Sequence, residues 1–167
     1  MILPYTNPLA YRQLRTWQQA NEILQLTEEF VKTLPPKAPE KSHMDRSARS
    51  TIRNIEEGFR RTTTQEYINF LGFSAGSNEE LLGDYGHCIK GNKGNLEIAK
   101  KTEWLCKGEG KMLYNQIKAL ERKMILEKTM PANEVLRKRS NDNRKNEKEF
   151  DEFLKKTLRE LKGDKGQ

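Results

Sequence analysis

Apolar residues recur at spacings of three and four along most of the first 130 residues, the pattern of amphipathic helices packed around one core. The first stripe predicts a helix from Tyr11 to Leu34. Three prolines end it, because proline lacks an amide hydrogen and clashes with the preceding turn: Pro35, Pro36 and Pro39. A second stripe predicts a helix from about residues 42–46 to Phe59.

A third helix is predicted to begin after Thr63, because Thr63 and Glu66 occupy the positions of a capping box. It ends in a glycine-rich turn at residues 91–95. Four glycines lie inside it: Gly72, Gly76, Gly83 and Gly86. Glycine is costly inside a helix, so we expect a neighbouring backbone to approach closely there, the alternative being a locally weak helix.

The fourth stripe runs from Leu96 to about Lys128, and the glycines within 107–110 predict a kink or a short break in it. Beyond Pro131 the chain is highly charged, and a short amphipathic helix is predicted from Phe150 to Leu161. The fold class is therefore all-α. We expect an antiparallel up-and-down four-helix bundle over residues 1–130, and over residues 131–167 a charged linker with a suffix helix.

The chain is basic, with 31 lysines and arginines against 24 acidic residues and a net charge of +7. A basic surface attracts polyanions, although the same charge also serves solubility. Cys88 and Cys106 are too few for a disulfide scaffold and lack the spacing of a zinc site. No signal peptide or membrane span is evident, so we expect a cytoplasmic protein with no membrane contact.

Three segments in order resemble the four helix bundle protein family, which includes proteins encoded in intervening sequences of bacterial large-subunit rRNA genes and is related to retroelement accessory variability proteins. They are Arg53-Asn54-Ile55-Glu56-Glu57-Gly58-Phe59-Arg60-Arg61, Glu66-Tyr67-Ile68-Asn69-Phe70-Leu71 and Ala75-Gly76-Ser77-Asn78-Glu79-Glu80-Leu81. Glu56 and Asn78 depart from the usual residues of that pattern. The resemblance implies a bundle that assembles into a homopentamer with a basic surface, and the retroelement relatives engage RNA and a reverse transcriptase.

On the second helix Arg46, Arg49, Arg53 and Arg60 share one stripe, lateral to the apolar face. Guanidinium groups match phosphate oxygens, so such a stripe can follow a nucleic-acid backbone. The competing interpretation is pairing of these arginines, between helices or between subunits, with Glu56, Glu57 or Glu66. The predicted contact residues are Arg46, Arg49, Arg53, Arg60, Arg61, Lys90 and Lys93.

Catalysis is not expected, because no second carboxylate, histidine or nucleophile is placed to assist Glu57, which more simply pairs with an arginine. His87 and Cys88 are adjacent and point about 100° apart on a helix, so neither a metal nor a cofactor is expected. Trp17 and Trp104 are expected as core or interface anchors, and Lys100 and the other lysines around the glycine turn as solvated surface.

The favoured hypothesis is a non-enzymatic, homo-oligomeric accessory protein that contacts RNA or DNA phosphates and aids a reverse transcriptase. The alternative is a protein interaction scaffold with the suffix helix as its docking element.

Overall fold

The computed structural model describes residues 9–129, together with residues 134, 141, 142, 144, 145, 148, 152 and 155. A 3-10 turn at Ala10–Gln13 precedes four α-helices: α1 (Arg15–Thr33), α2 (Glu40–Phe59), α3 (Thr64–Lys90) and α4 (Leu96–Thr129). No strand occurs in the part of the chain that is described. Residues 1–8, the start of the predicted bundle domain, lie outside the described residues. Most of the predicted charged linker and of the predicted suffix helix also lie outside them.

Each helix packs against two others, α1 and α3 both lying between α2 and α4. Connections of only a few residues join consecutive helices, so neighbours run antiparallel. This arrangement confirms the predicted all-α, up-and-down four-helix bundle.

The core consists of two clusters along the bundle, and the partly buried Leu24 packs against both. One is centred on Ile23, Phe30 and Tyr85, and the other on Ile55, Leu71 and Leu113. All six side chains are fully buried. The apolar stripes read from the sequence therefore face inward, as expected of amphipathic helices.

The start of α3 is capped as the sequence predicts. The Thr63 hydroxyl accepts a hydrogen bond from the Glu66 amide at 3.2 Å and itself donates to the Glu66 carboxylate at 2.8 Å. These bonds satisfy one of the amides that a helix start leaves without a partner.

The predicted helical start at residues 11–14 is wrong. Tyr11 belongs to the 3-10 turn, and Leu14 is extended, with φ −69° and ψ 130°. This path brings the Tyr11 ring to 5.7 Å from Trp17 and 6.3 Å from Phe59, measured between centroids. Burial of Tyr11 across the bundle end outweighs one more helical turn, because an aromatic ring contributes a large buried area.

The close approach expected at the α3 glycines is also absent within the described chain. A Cβ built at Gly72, Gly76, Gly83 or Gly86 would meet no atom within 4 Å. They lie on the outer side of α3, away from its buried residues Leu71, Ser74, Asn78, Leu81 and Tyr85. Close packing between helices instead requires a glycine at Gly58, where a Cβ would lie 2.7 Å from the Cβ of Phe70.

Helix α4 continues unbroken through residues 107–110, so the predicted break is wrong. The glycines there make room for side chains of other helices. A Cβ at Gly108 would lie 2.9 Å from Gln19 Nε2, and one at Gly110 would lie 3.5 Å from Asn78 Nδ2. Gln19 donates to the Leu105 carbonyl at 2.7 Å and Asn78 to the Cys106 carbonyl at 2.9 Å.

Candidate nucleic-acid interface

Three of the four predicted stripe arginines are exposed, Arg46 and Arg53 on α2 and Arg60 directly after its last residue. Arg46, Arg53 and Arg60 are each seven positions apart, so successive side chains differ by only about 20° around the helix. Their Cα atoms span roughly 21 Å along the axis at 1.5 Å per residue. We call these three residues the α2 arginine line.

Arg49, the fourth member of the predicted stripe, is held by two carboxylates. Its Nη2 donates to Glu28 Oε1 at 2.6 Å, and its Nε donates to Asp45 Oδ2 at 3.0 Å. The hydrogen bond to Asp45, reinforced by Glu28, raises the pKa of the Arg49 side chain. The Arg49 side chain therefore links α2 to α1 through an ion pair. The competing interpretation predicted such pairing for the stripe, although the partners of Arg49 are not Glu56, Glu57 or Glu66.

At the far end of α2 the two consecutive arginines behave differently. The Arg61 guanidinium is bonded to the Glu57 carboxylate and lies 4.3 Å from the centroid of Phe70. Arg60 is exposed, with its guanidinium carbon 5.5 Å from the centroid of Tyr11. Glu57 thus pairs with an arginine near the turn, as the sequence predicted.

The two predicted lysines lie at the other end of the bundle, because α3 runs antiparallel to α2. Lys90 is exposed at the end of α3. Lys93, in the following turn, places its Nζ 2.5 Å from Glu40 Oε1, and this hydrogen bond raises the pKa of Lys93 and lowers that of Glu40. The seven predicted residues therefore do not converge on one point but extend along the bundle.

This arrangement suits contact with a chain of phosphates better than enclosure of a small anion. Arg46, Arg53 and Arg60 offer planar forks of donors that match phosphate oxygens. The Arg46 Nε also donates to its own helix, to the Ser42 carbonyl at 3.2 Å, which steadies that side chain. Contacts of this kind position a nucleic acid without reading its bases.

A second basic surface lies on α4 and was not among the predicted sites. Its six residues alternate at spacings of four and three, and we call them the α4 lysine–aromatic face: Lys100, Trp104, Lys107, Lys111, Tyr114 and Lys118. Trp104 is 71% exposed and Tyr114 is 59% exposed, so Trp104 is not a core anchor of this chain. This face could have been found from the sequence, because its residues recur with the same helical spacing as the core stripe but four of the six are lysines.

Two further features of the described residues bear on chemistry. His43 Nδ1 lies 2.5 Å from Asp84 Oδ2, and this contact joins α2 to α3.

Across residues 9–129 and the eight later positions, no three His, Cys, Asp or Glu side chains are grouped to hold a metal ion. Among those same residues, no helix has the length and apolar character to cross a membrane.

Residues 12–125, about two thirds of the chain, match the family model described as 23S rRNA-intervening sequence protein. The matched range contains α1 to α3, most of α4 and the whole α2 arginine line. No curated protein matches the chain.

Proposed function

The chain belongs to the 23S rRNA-intervening sequence protein family, and from that premise we propose that it is a non-enzymatic, homo-oligomeric accessory protein that binds RNA. Contact is made with phosphates rather than with base edges. The family's name associates it with ribosomal RNA, which makes RNA the preferred polyanion for a chain with a net charge of +7.

The α2 arginine line is the observation that carries this proposal. Arg46, Arg53 and Arg60 are exposed, while Arg49 beside them is occupied by Glu28 and Asp45. An arginine that only stabilised the bundle would be expected to meet a carboxylate, as Arg49 does. Arg53 has no ion pair among the described residues, which leaves its guanidinium available for a phosphate.

Self-association is supported by exposed apolar side chains near the end of α4. Ile125 is 63% exposed and Leu126 is 54% exposed. Adjacent apolar side chains of this size favour contact with another protein surface. We propose a second copy of this chain as that surface, and a homopentamer as the assembly.

Charge reversal on α2 tests the RNA-binding proposal. The triple variant Arg46→Glu, Arg53→Glu and Arg60→Glu is compared with Arg49→Gln, which removes a charge from the same helix but not from the line. Fluorescence anisotropy of a labelled RNA should show at least about tenfold weaker binding for the triple variant and little change for Arg49→Gln. Equal RNA affinity in the triple variant and the wild-type protein would exclude this surface.

A protein interaction scaffold is the second candidate, and the same Ile125 and Leu126 pair favours it. These residues directly precede the charged segment that carries the predicted suffix helix. Deletion of residues 132–167 should then abolish capture of a partner protein while leaving RNA affinity unchanged. If the deletion changes neither partners nor oligomer mass, the suffix has no docking role.

A further inference from the structure

The α4 lysine–aromatic face points away from the core along the middle of α4. Lys111 lies roughly 140° around the helix from the buried Cys106, at 100° per residue. Lys100, Trp104, Lys107 and Tyr114 repeat the same direction at alternating steps of four and three. Lysines therefore flank and separate the two aromatic rings along one side of the helix.

The two aromatic side chains of this face are largely exposed, and Lys118 Nζ lies 5.5 Å from the centroid of the Tyr114 ring. Trp104 is 71% exposed and Tyr114 is 59% exposed. They are ten positions apart, which separates them by roughly 15 Å along the axis. Lys107 and Lys111 lie between them.

The lysines of the face are available to an anionic partner. Among the described residues, Lys100 and Lys111 form no ion pair. Lys107 pairs with Glu103 at 3.0 Å and Lys118 pairs with Glu121 at 2.9 Å, both at the surface and within α4. Exposed pairs of this kind contribute little, so a phosphate can displace them.

We propose that the α4 lysine–aromatic face binds single-stranded RNA, with bases stacked on Trp104 and Tyr114 and phosphates held by the lysines between them. The inference rests on the proposed function and adds a second surface, on the helix diagonal to α2. Bases in a duplex are already stacked on each other, whereas unpaired bases can stack on aromatic side chains. A symmetric contact with a second copy would oppose lysine to lysine, so the charge favours a polyanion.

Tryptophan fluorescence tests the proposal directly, because the chain has only two tryptophans. In a Trp17→Phe background, Trp104 is the sole source of tryptophan fluorescence. A single-stranded oligoribonucleotide should quench that emission strongly, while the same sequence as a duplex should quench it much less. Trp17 donates to Glu56 at 2.9 Å, so the remaining variants are made in the wild-type background in case this substitution impairs folding.

Affinity for the same RNA, measured by anisotropy, gives the second readout. Trp104→Ala and Tyr114→Ala should each weaken single-strand binding by about tenfold, and Trp104→Phe should retain most of it. Lys107→Gln with Lys111→Gln should reduce the slope of log affinity against log salt by about 1.4, at 0.7 per single-strand phosphate contact. Phe73→Ala, which removes a ring that is 60% exposed on α3, is the control and should change neither quantity.

The outcomes separate this inference from the proposed function. If the Trp104→Ala, Tyr114→Ala double variant binds single strands normally while the α2 triple variant does not, the inference fails and the proposed function stands. Loss of oligomer mass in the double variant with unchanged RNA affinity would make the face a subunit contact and overturn the inference. If the wild-type protein binds no RNA at low salt, both fail.

Discussion

Glu109 is the residue whose position the sequence pattern did not reveal. Its carboxyl group is completely buried on the inner face of α4, and neither oxygen has a hydrogen-bond partner among the described residues. The heptad pattern instead placed Glu103 and Gly110 on the inner face. Charged residues are rarely buried without a partner, so a glutamate in a helix is ordinarily read as surface.

Burial determines the protonation of this residue. Loss of solvent raises the pKa of Glu109 to about 8, from 4.5 for the unperturbed group. Burial is the cause of that shift, and no charged group among the described residues contributes to it. Between pH 4.5 and about 8, the folded protein therefore keeps a proton on Glu109 that the unfolded chain releases.

The stability of the bundle should consequently fall as pH rises between 4.5 and about 8, and then level off. In this window the native state binds more protons than the unfolded state, so each unit of pH lowers the free energy of unfolding. Glu109→Gln abolishes the titration and should reduce the stability difference between pH 5 and pH 8 by about 3 kcal/mol. Urea unfolding at the two pH values measures this difference.

Glu103→Gln is the matched control for that experiment. Glu103 lies on the same helix, but it is partly exposed and paired with Lys107. This variant should keep the pH dependence of the wild-type protein. An unchanged pH dependence in Glu109→Gln would show that the buried carboxyl group does not titrate as described.

At the scale of helices, the ends followed from local chemistry. Prolines stopped α1, the Thr63 and Glu66 capping box started α3, and the turn at residues 91–95 ended it. The errors arose where tertiary contacts decided. Tyr11 left the helical path to pack against Trp17 and Phe59, contacts too distant in sequence for periodicity to reveal.

Glycine roles likewise depend on neighbours that the sequence does not place. Gly58→Ala should lower the free energy of unfolding by about 1–3 kcal/mol, because the new methyl group would overlap Phe70 and Tyr67. Gly83→Ala should raise it by about 0.5–1 kcal/mol, because that site is open and alanine favours helix. Urea denaturation distinguishes the two, and a stabilised Gly58→Ala would contradict the packing described at the α2–α3 turn.

For the whole molecule, the sequence predicted the bundle better than the surfaces on it. Apolar periodicity depends on each helix alone, whereas the use of a surface charge depends on what faces it. The sequence places Asp45 one helical turn before Arg49, but the contact of Arg49 with Glu28 on α1 depends on how the helices pack. Trp104 was expected as a core or interface anchor, although its place among the lysines of α4 was a sign that it faces outward.

The proposed assembly makes its own prediction. Light scattering of the purified protein should give about five times the mass of the chain. Ile125→Ser with Leu126→Ser should lower that mass, because it removes the apolar contact proposed between copies. A monomeric wild-type protein, or an unchanged mass in the double variant, would contradict the role given to these two residues.

The central claim, that the chain binds RNA through phosphates, is tested most directly by measuring RNA affinity as a function of salt concentration. Three arginine contacts on α2 should give a slope of log affinity against log salt of about −2 or steeper, since each phosphate contact releases bound counterions. The wild-type protein should therefore bind RNA tightly at low salt and lose affinity steeply as salt rises. Absence of binding at low salt, or an affinity that does not change with salt, would contradict it.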